Sequence, residues 1–243
     1  MSAGRLIGVG VGPGDPELMT LKAVRALREA DVIAHFAKAG RTGNARTIAA
    51  AHFRDEVTEL PLLYPVTTEV PTADPAYASA IEGFFDDAAA AVARHLDAGR
   101  TVAVLSEGDP LFYGSYMHIH FRLAHRYPTE VIPGVTSLSG CWSAAGLPLA
   151  RAEEVLSVVP GPLPDAALAA RLAGDDAVAL IKVGRHLGRI RDAVAAAGRL
   201  DGAVYVERGT MADARLSPLA ATDGAAAPYF AVVLVPARRR STA

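Results

Sequence analysis

The sequence contains a single cysteine, Cys141, among 243 residues. One thiol cannot form an intramolecular disulfide, and it cannot supply the several thiolates of a cysteine-rich metal site. We therefore expect the chain to work in a reducing compartment, the cytoplasm, and to hold no metal. Cys141 has no base beside it in the sequence and is predicted to be a packed, small apolar side chain.

The sequence also lacks an excess of charge of either sign. Its 24 Lys and Arg residues against 26 Asp and Glu residues give a net charge of −2. Proteins that follow a nucleic-acid backbone usually carry a basic excess, so nucleic acid is not an expected partner. No run approaches the about 18 apolar residues of a membrane span, and glycine interrupts the N-terminal apolar run too soon for a signal peptide. We expect no membrane association.

Apolar runs and helical patterns alternate through the first half of the chain. The predicted strands cover residues 6–9, 32–34, 56–60, 101–105 and 130–132. The predicted helices begin at Thr20 and cover 44–53, 76–96 and 118–126, with a further small-residue helix at 137–145. Such alternation is typical of a mostly parallel sheet with helices on both faces.

The pattern changes after Pro148. Strands are predicted at 155–159, 177–183, 203–206 and 229–235, and only some of them are separated by helices, at 164–172 and 186–197. This pattern indicates a second α/β domain with a mixed sheet. The predicted boundaries are therefore 1–132 for an N-terminal α/β domain and 133–243 for a C-terminal α/β domain.

A glycine-rich loop follows the first predicted strand, at residues 8–16. It does not fit the dinucleotide fingerprint G-x-G-x-x-G, because Pro13 or Asp15 would occupy the third glycine position. It also lacks the Gly-Lys-Ser/Thr ending of a Walker phosphate loop. Its place after a strand still favours ligand contact, because ligands of open parallel sheets bind beyond the carboxyl ends of the strands.

Two further loops follow predicted strands in the same way. The sequence Glu-Gly-Asp-Pro-Leu-Phe-Tyr-Gly occupies 107–114, and Ile-Pro-Gly-Val-Thr-Ser occupies 132–137. Glycine allows a backbone to come close to a ligand, and a carboxylate accepts hydrogen bonds from hydroxyl or ammonium groups. Taken alone, Thr136 or Ser137 is better interpreted as a cap of the helix that follows.

Taken together and in this order, the three loops resemble those of the tetrapyrrole (corrin/porphyrin) methylase family. The resemblance extends over essentially the whole chain: Thr-Leu-Lys-Ala at 20–23 and Ala-Asp-Val-Ile at 30–33 look like the family's first helix and second strand, and Glu-Arg-Gly-Thr at 207–210 looks like its late second-domain loop. It implies a homodimer that binds S-adenosylmethionine in a cleft between two α/β domains.

The resemblance also implies which residues contact the cofactor. The first domain would supply the glycine-rich loops and a tetrapyrrole trough, and the second would complete the S-adenosylmethionine site. The implied contacts are Pro13, Glu107, Gly108, Asp109, Phe112, Thr136, Ser137 and Gly209. No catalytic residue is identified, because none of the seven histidines is distinguished from the others.

Two stretches, 60–69 and 178–183, resemble the family's subgroup that methylates C-20 of precorrin-2. That resemblance implies a polycarboxylate tetrapyrrole as substrate, either metal-free precorrin-2 or its cobalt counterpart. The carboxylates of such a substrate require local basic residues. The candidates are Lys38, Arg41, Arg46, Lys182 and Arg185.

Other functions remain open from the sequence. A nucleotide-dependent oxidoreductase would need the glycine fingerprint that fails here and an acidic residue at the end of the second strand, where Ala34-His35-Phe36 stands. A non-catalytic tetrapyrrole carrier would not need three cofactor loops. Relatives of the same fold that methylate ribosomal RNA or a modified protein histidine are the nearest enzymatic alternatives.

Overall fold

The computed structural model describes residues 4–65 and 75–238, with the side chains of 75–77 left aside. The chain divides into two compact units, Met1–Thr136 and Ser137–Ala243. The boundary predicted between 132 and 133 falls in the loop just before this division. The roles assigned to the two domains stay predictions.

The first unit is a five-stranded sheet with helices on both faces. Its strand order is β3-β2-β4-β1-β5, and every pair of neighbours is parallel, as predicted. Its elements in chain order are β1 (Arg5–Gly10), α1 (Leu21–Glu29), β2 (Val32–Lys38), α2 (Asn44–Ala49), β3 (Thr58–Tyr64), α3 (Pro75–Asp97), β4 (Thr101–Ser106), α4 (Tyr116–Leu123) and β5 (Thr129–Ile132).

Two apolar clusters hold the helices against this sheet. One includes Val104 of β4 and packs with Leu96 of α3 and Ile119 of α4. The other includes Ile33 of β2 and packs with Leu27 of α1 on the opposite face. Central parallel strands covered on both faces are apolar along most of their length, which is why β1 and β4 stand out in the sequence.

Several predicted boundaries in this unit were wrong. β2 continues to Lys38 and β3 runs from Thr58 to Tyr64, because the two strands pair without interruption from Val32 with Thr58 to Lys38 with Tyr64. The predicted strand ended at residue 60, and residues 61–64 are instead a continuation of this edge strand. Residues 66–69 of the stretch 60–69 lie outside the described residues.

The second unit has a mixed five-stranded sheet of order β6-β7-β10-β8-β9, as predicted. Only the pair β6 and β7 is parallel. Its elements are α5 (Ser137–Ala144), β6 (Leu156–Pro160), α6 (Asp165–Leu172), β7 (Ala177–Ile181), α7 (Leu187–Ala196), β8 (Val204–Glu207), β9 (Arg215–Pro218) and β10 (Ala231–Val235). The short strand β9 was not predicted, because its exposed residues lack an apolar pattern and its pairing with β8 alone defines it.

A buried arginine connects three segments of the second unit. Arg199 is 4% exposed, and its guanidinium donates to the carbonyl oxygens of Gly174 at 3.1 Å, Asp176 at 2.5 Å and Pro236 at 3.0 Å. Burial lowers the pKa of Arg199. A buried charge is tolerated only when it is hydrogen-bonded, and here backbone carbonyls supply the acceptors.

We expect Arg199→Met to lower the free energy of unfolding of the second unit by about 3 kcal/mol, because several buried carbonyl groups lose a charged donor. The single tryptophan, Trp142 of α5, reports on this unit, so urea unfolding can be followed by its fluorescence. Arg215→Met, at an exposed position of β9, is the matched control and should change stability by less than about 0.5 kcal/mol. Equal effects of the two substitutions would contradict the role given to Arg199.

Candidate functional site

The strand order makes neighbours of three loops that are far apart in the sequence. β4, β1 and β5 are adjacent and parallel, and their last residues are in register, with Gly10 opposite Ser106 and Val9 opposite Ile132. The loops that follow, 11–16, 107–115 and 133–136, therefore all leave the same edge of the sheet. They contain the three motifs that the sequence analysis selected.

The first two loops are hydrogen-bonded to each other. The N–H of Val11 donates to the carbonyl of Ser106 at 3.0 Å, and the N–H of Gly108 donates to the carbonyl of Gly12 at 2.8 Å. Gly12 and Gly108 form an isolated antiparallel bridge. Both glycines have positive φ, 80° and 64°, a conformation that other residues adopt with strain.

The third loop packs against Gly10, the last residue of β1, and against Gly108 of the second loop. A Cβ atom at Gly10 would lie 2.5 Å from the nitrogen of Gly134 and 2.7 Å from the carbonyl oxygen of Gly108. A Cβ atom at Gly134 would lie 2.1 Å from that same oxygen. Backbone therefore meets backbone where the three loops converge, and no side chain fits between them.

Asp109 joins the second loop to the third. One carboxylate oxygen accepts from the N–H of Leu111 at 2.9 Å, and the other accepts from the N–H of Gly134 at 3.2 Å. Asp109 was predicted to contact the cofactor, and here both of its carboxylate oxygens accept hydrogen bonds from backbone N–H groups of the chain. Hydrogen bonds to a charged acceptor are stronger than those between neutral groups, so Asp109 holds the two loops together.

Glu107, another predicted contact, reaches away from these loops. Its Oε1 accepts from the N–H of Ala45, at the start of α2, at 3.2 Å. Although the residue as a whole is exposed, desolvation by the surrounding protein raises the pKa of this carboxyl, against the lowering effect of the Ala45 and Glu107 backbone N–H groups.

The other predicted contacts in the first unit are half-buried at the same edge of the sheet. Pro13 lies in the turn after β1, Phe112 lies in the second loop, and Thr136 lies in the third. The ring of Phe112 packs edge-on against Tyr113, at 5.0 Å between centroids. Tyr113 itself has a positive φ of 57°, an unfavourable conformation for a tyrosine, found often at functional loops.

The sequence analysis missed two polar features beside the second loop. Ser106 is 5% exposed, and its hydroxyl has no hydrogen-bond partner within the described part of the chain. The hydroxyl of Tyr64, at the end of β3, is hydrogen-bonded to that of Ser115, directly after the second loop. Both features depend on neighbouring strands, so no local sequence signal identifies them.

The basic candidates of the first unit differ in their surroundings. Arg46 of α2 donates two hydrogen bonds to Glu59 of β3, at 2.7 and 2.8 Å, and His35 Nε2 lies 3.3 Å from the same carboxylate. Arg46 lowers the pKa of Glu59, while burial lowers the pKa of His35. Because Glu59 neutralises Arg46, the exposed Arg41 is the better candidate for binding an anionic substrate.

In the second unit, the predicted contact Gly209 lies against Cys141. A Cβ atom at Gly209 would be 2.8 Å from the sulfur of Cys141, which explains why glycine is needed there. Cys141 is buried, and burial raises the pKa of its thiol to about 11, so it packs as expected. Ser137, the other predicted contact, is the exposed first residue of α5.

The predicted basic residues of the second unit, Lys182 and Arg185, are exposed in the segment that joins β7 to α7. Lys182 has a positive φ of 55°.

Within residues 4–65 and 75–238, no three His, Cys, Asp or Glu side chains are grouped so that they could hold a metal ion. In the same part of the chain, no helix is both long and apolar enough to cross a bilayer.

Comparison with known proteins identifies relatives across nearly the whole chain. It is 61% identical over 236 residues to a precorrin-2 C(20)-methyltransferase of Sinorhizobium sp, covering 97% of this chain and 96% of that protein. It is 30% identical to a cobalt-precorrin-2 C(20)-methyltransferase of Salmonella typhimurium, covering 96% of both.

The same fold occurs in a solved structure of uroporphyrin-III C-methyl transferase from Thermus thermophilus complexed with S-adenyl homocysteine. The two chains superpose with a TM-score of 0.68 and are 26% identical, with 96% of this chain and 97% of that chain covered. The family model of tetrapyrrole (corrin/porphyrin) methylases matches residues 5–221. The chain therefore belongs to the tetrapyrrole (corrin/porphyrin) methylase family.

Proposed function

We propose that this protein transfers a methyl group from S-adenosylmethionine to C-20 of precorrin-2, giving precorrin-3A, in cobalamin biosynthesis. The observation that carries the proposal is the 61% identity, over 97% of the chain, to a precorrin-2 C(20)-methyltransferase. Family membership also decides against the dinucleotide oxidoreductase, whose glycine fingerprint the first loop lacks.

The residues of the first unit fit S-adenosylmethionine. Three loops present backbone groups at one edge of the sheet, and the glycines at positions 10 and 134 keep side chains out of the point where their backbones meet. The hydroxyl of Ser106, buried and without a partner among the described residues, adds a polar group at the end of β4. Close backbone approach with few polar side chains suits a small, partly apolar ligand.

We assign the cofactor contacts to the backbones of the three loops, with the ring of Phe112. In the first unit the assigned residues are Pro13, Gly108, Phe112 and Thr136. Asp109 would act by holding the second and third loops at their observed separation. Ser137 and Gly209 are the proposed contacts of the second unit.

S-adenosylmethionine supplies an electrophilic methyl group on a sulfonium and leaves as a neutral thioether. The bridge carbon C-20 is the nucleophile, and its hydrogen leaves as a proton once the new carbon–carbon bond has formed. Because little acid catalysis is needed, the chain contributes mainly by orienting the reactants and excluding water. A base for the final proton stays unassigned.

The cobalt-containing counterpart of precorrin-2 is the second candidate substrate, because a relative that acts on a cobalt-precorrin-2 is 30% identical. The metal-free substrate is favoured by the higher identity of 61% to its methyltransferase. The homodimer remains a prediction from the family resemblance, and the cytoplasmic location remains a prediction from the single cysteine.

We expect the purified protein to incorporate one labelled methyl group into freshly prepared, metal-free precorrin-2, detected by mass. The cobalt counterpart, tested in parallel, should react more slowly. Calorimetry should show binding of S-adenosylhomocysteine and none of a nicotinamide dinucleotide. Transfer to the cobalt substrate alone would reassign the substrate, and absence of both transfer and cofactor binding would refute the proposed function.

Gly134→Ala should weaken S-adenosylhomocysteine binding at least about tenfold, because the new methyl group would press on the carbonyl of Gly108 and separate the loops. Gly83→Ala is the matched control. Gly83 lies in α3 with open space around its Cα, so alanine should leave the affinity unchanged and stabilise the helix by about 0.5–1 kcal/mol. Unchanged affinity in a folded Gly134→Ala protein would show that the loop contact does not shape the site.

Asp109→Ala should weaken S-adenosylhomocysteine binding about tenfold, because the N–H groups of Leu111 and Gly134 lose a charged acceptor and the loops are no longer joined. The control is Asp87→Ala, which removes an exposed carboxylate from α3. Circular dichroism should show both variants folded. Equal affinities in the two variants would mean that Asp109 does not order the site.

A further inference from the structure

The first turn of α2 is held by a side chain from a distant part of the sequence. Helices usually begin at a residue whose side chain accepts a hydrogen bond from a first-turn N–H group. The residue before α2 is Gly43, which has no side chain for this purpose. The acceptor is instead Oε1 of Glu107, 62 positions away, at 3.2 Å from the nitrogen of Ala45.

Gly43 cannot be exchanged for an ordinary capping residue. A Cβ atom at this position would lie 2.2 Å from the carbonyl oxygen of Phe36, so the chain packs directly on the end of β2. Serine or aspartate, the usual capping residues, would therefore displace the segment. Close packing at Gly43 makes α2 depend on an external acceptor.

Glu107 belongs to the loop that we assign to the cofactor. It stands between Ser106, the last residue of β4, and Gly108, whose N–H donates to the carbonyl of Gly12. Two residues further, Asp109 binds the third loop. The position of Glu107 is thus set by the same contacts that shape the cofactor site.

The segment 38–43, which leads into the first turn of α2, contains the basic residues Lys38 and Arg41. Between β2 and α2 lie residues 39–43, which begin with a turn in which the N–H of Arg41 donates to the carbonyl of Lys38 at 3.1 Å. Arg41 is exposed, at the same edge of the sheet as the cofactor loops. The segment is short and anchored at both ends, so a shift of the first turn of α2 moves Arg41.

The remainder of α2 has a separate anchor. Arg46 is bound to Glu59 of β3 by two hydrogen bonds, and Ile48 is buried against the sheet. Loss of the Glu107 contact should therefore loosen the first turn without unfolding the helix.

We infer that Glu107 is a positioning residue that connects the cofactor loop to the first turn of α2 and so places the basic segment 38–43 for the substrate. This role rests on the proposed function for its substrate, a polycarboxylate tetrapyrrole. It differs from the direct cofactor contact expected from the sequence. The hydrogen bond from Ala45, and not the charge of Glu107, carries the effect.

Two conservative variants separate the effect of side-chain length at position 107 from the effect of its charge. Glu107→Asp keeps the charge and shortens the side chain by one methylene, so its carboxylate no longer reaches Ala45. Glu107→Gln keeps the length and an acceptor oxygen and loses the charge. Glu56→Gln, at an exposed position before β3, is the matched control. All three changes are mild enough to leave the fold intact, which circular dichroism checks.

Hydrogen exchange of the peptide 39–49 measures the contact directly. We expect exchange to be about fivefold faster in Glu107→Asp than in the unmodified protein, the size expected for loss of a helix cap. Glu107→Gln and the control should be within about twofold of the unmodified protein. Bound S-adenosylhomocysteine should slow exchange of this peptide in the unmodified protein and much less in Glu107→Asp.

Binding and steady-state kinetics then test the consequence for the substrate. In Glu107→Asp we expect the KM for precorrin-2 to rise about fivefold, while the affinity for S-adenosylhomocysteine changes less than about threefold. Glu107→Gln should restore most of the KM. The control should match the unmodified protein in both measurements.

Three results would overturn the inference. Loss of cofactor affinity with unchanged exchange of 39–49 would make Glu107 a direct cofactor contact. Faster exchange with an unchanged KM would reduce it to a structural cap. A Glu107→Gln protein that behaves worse than Glu107→Asp would show that charge matters instead of the hydrogen bond. If the unmodified protein transfers no methyl group to precorrin-2, the proposed function fails, while the exchange data still decide whether Glu107 holds α2.

Discussion

Three loops meet through their backbones at Gly10, Gly108 and Gly134, where a Cβ atom on Gly10 or Gly134 would come within 3 Å of the neighbouring loop. The geometry of the first unit's edge depends on this contact. Interiors pack so tightly that even one added methyl group must be accommodated by movement. With no side chains in between, the loops are held at a separation that backbone hydrogen bonds and one carboxylate can span.

The acidic side chains of Glu107 and Asp109, at this edge of the sheet, accept hydrogen bonds from backbone N–H groups. Asp109 accepts hydrogen bonds from two backbone N–H groups, and Glu107 accepts one from the N–H of Ala45. Both carboxylates therefore take the place of backbone acceptors that these N–H groups lack. A buried or half-buried N–H group without a partner is costly, and a carboxylate oxygen that accepts its hydrogen bond removes that cost. We therefore propose that the ligand contacts come from the backbone, from aromatic and small side chains, and from hydroxyls such as that of Ser106.

Much of the architecture could be predicted from local patterns. The buried strands β1 and β4 are apolar because helices cover both faces of the sheet, and this pattern is visible without coordinates. The ends of β2 and β3 were misplaced, since their extent depends on pairing with each other. The strand β9 was missed because an exposed edge strand has no apolar signature.

The sequence by itself determined the two α/β domains, the three loop motifs and the family, because each depends on residues that are close together along the chain. The tertiary structure alone decided that the three loops are neighbours, since only the order β4-β1-β5 brings their strands together. It also decided the partners of the side chains. Glu107 meets Ala45 across 62 positions and Asp109 meets Gly134 across 25, and such distant contacts follow from the crossovers of the sheet and not from local sequence.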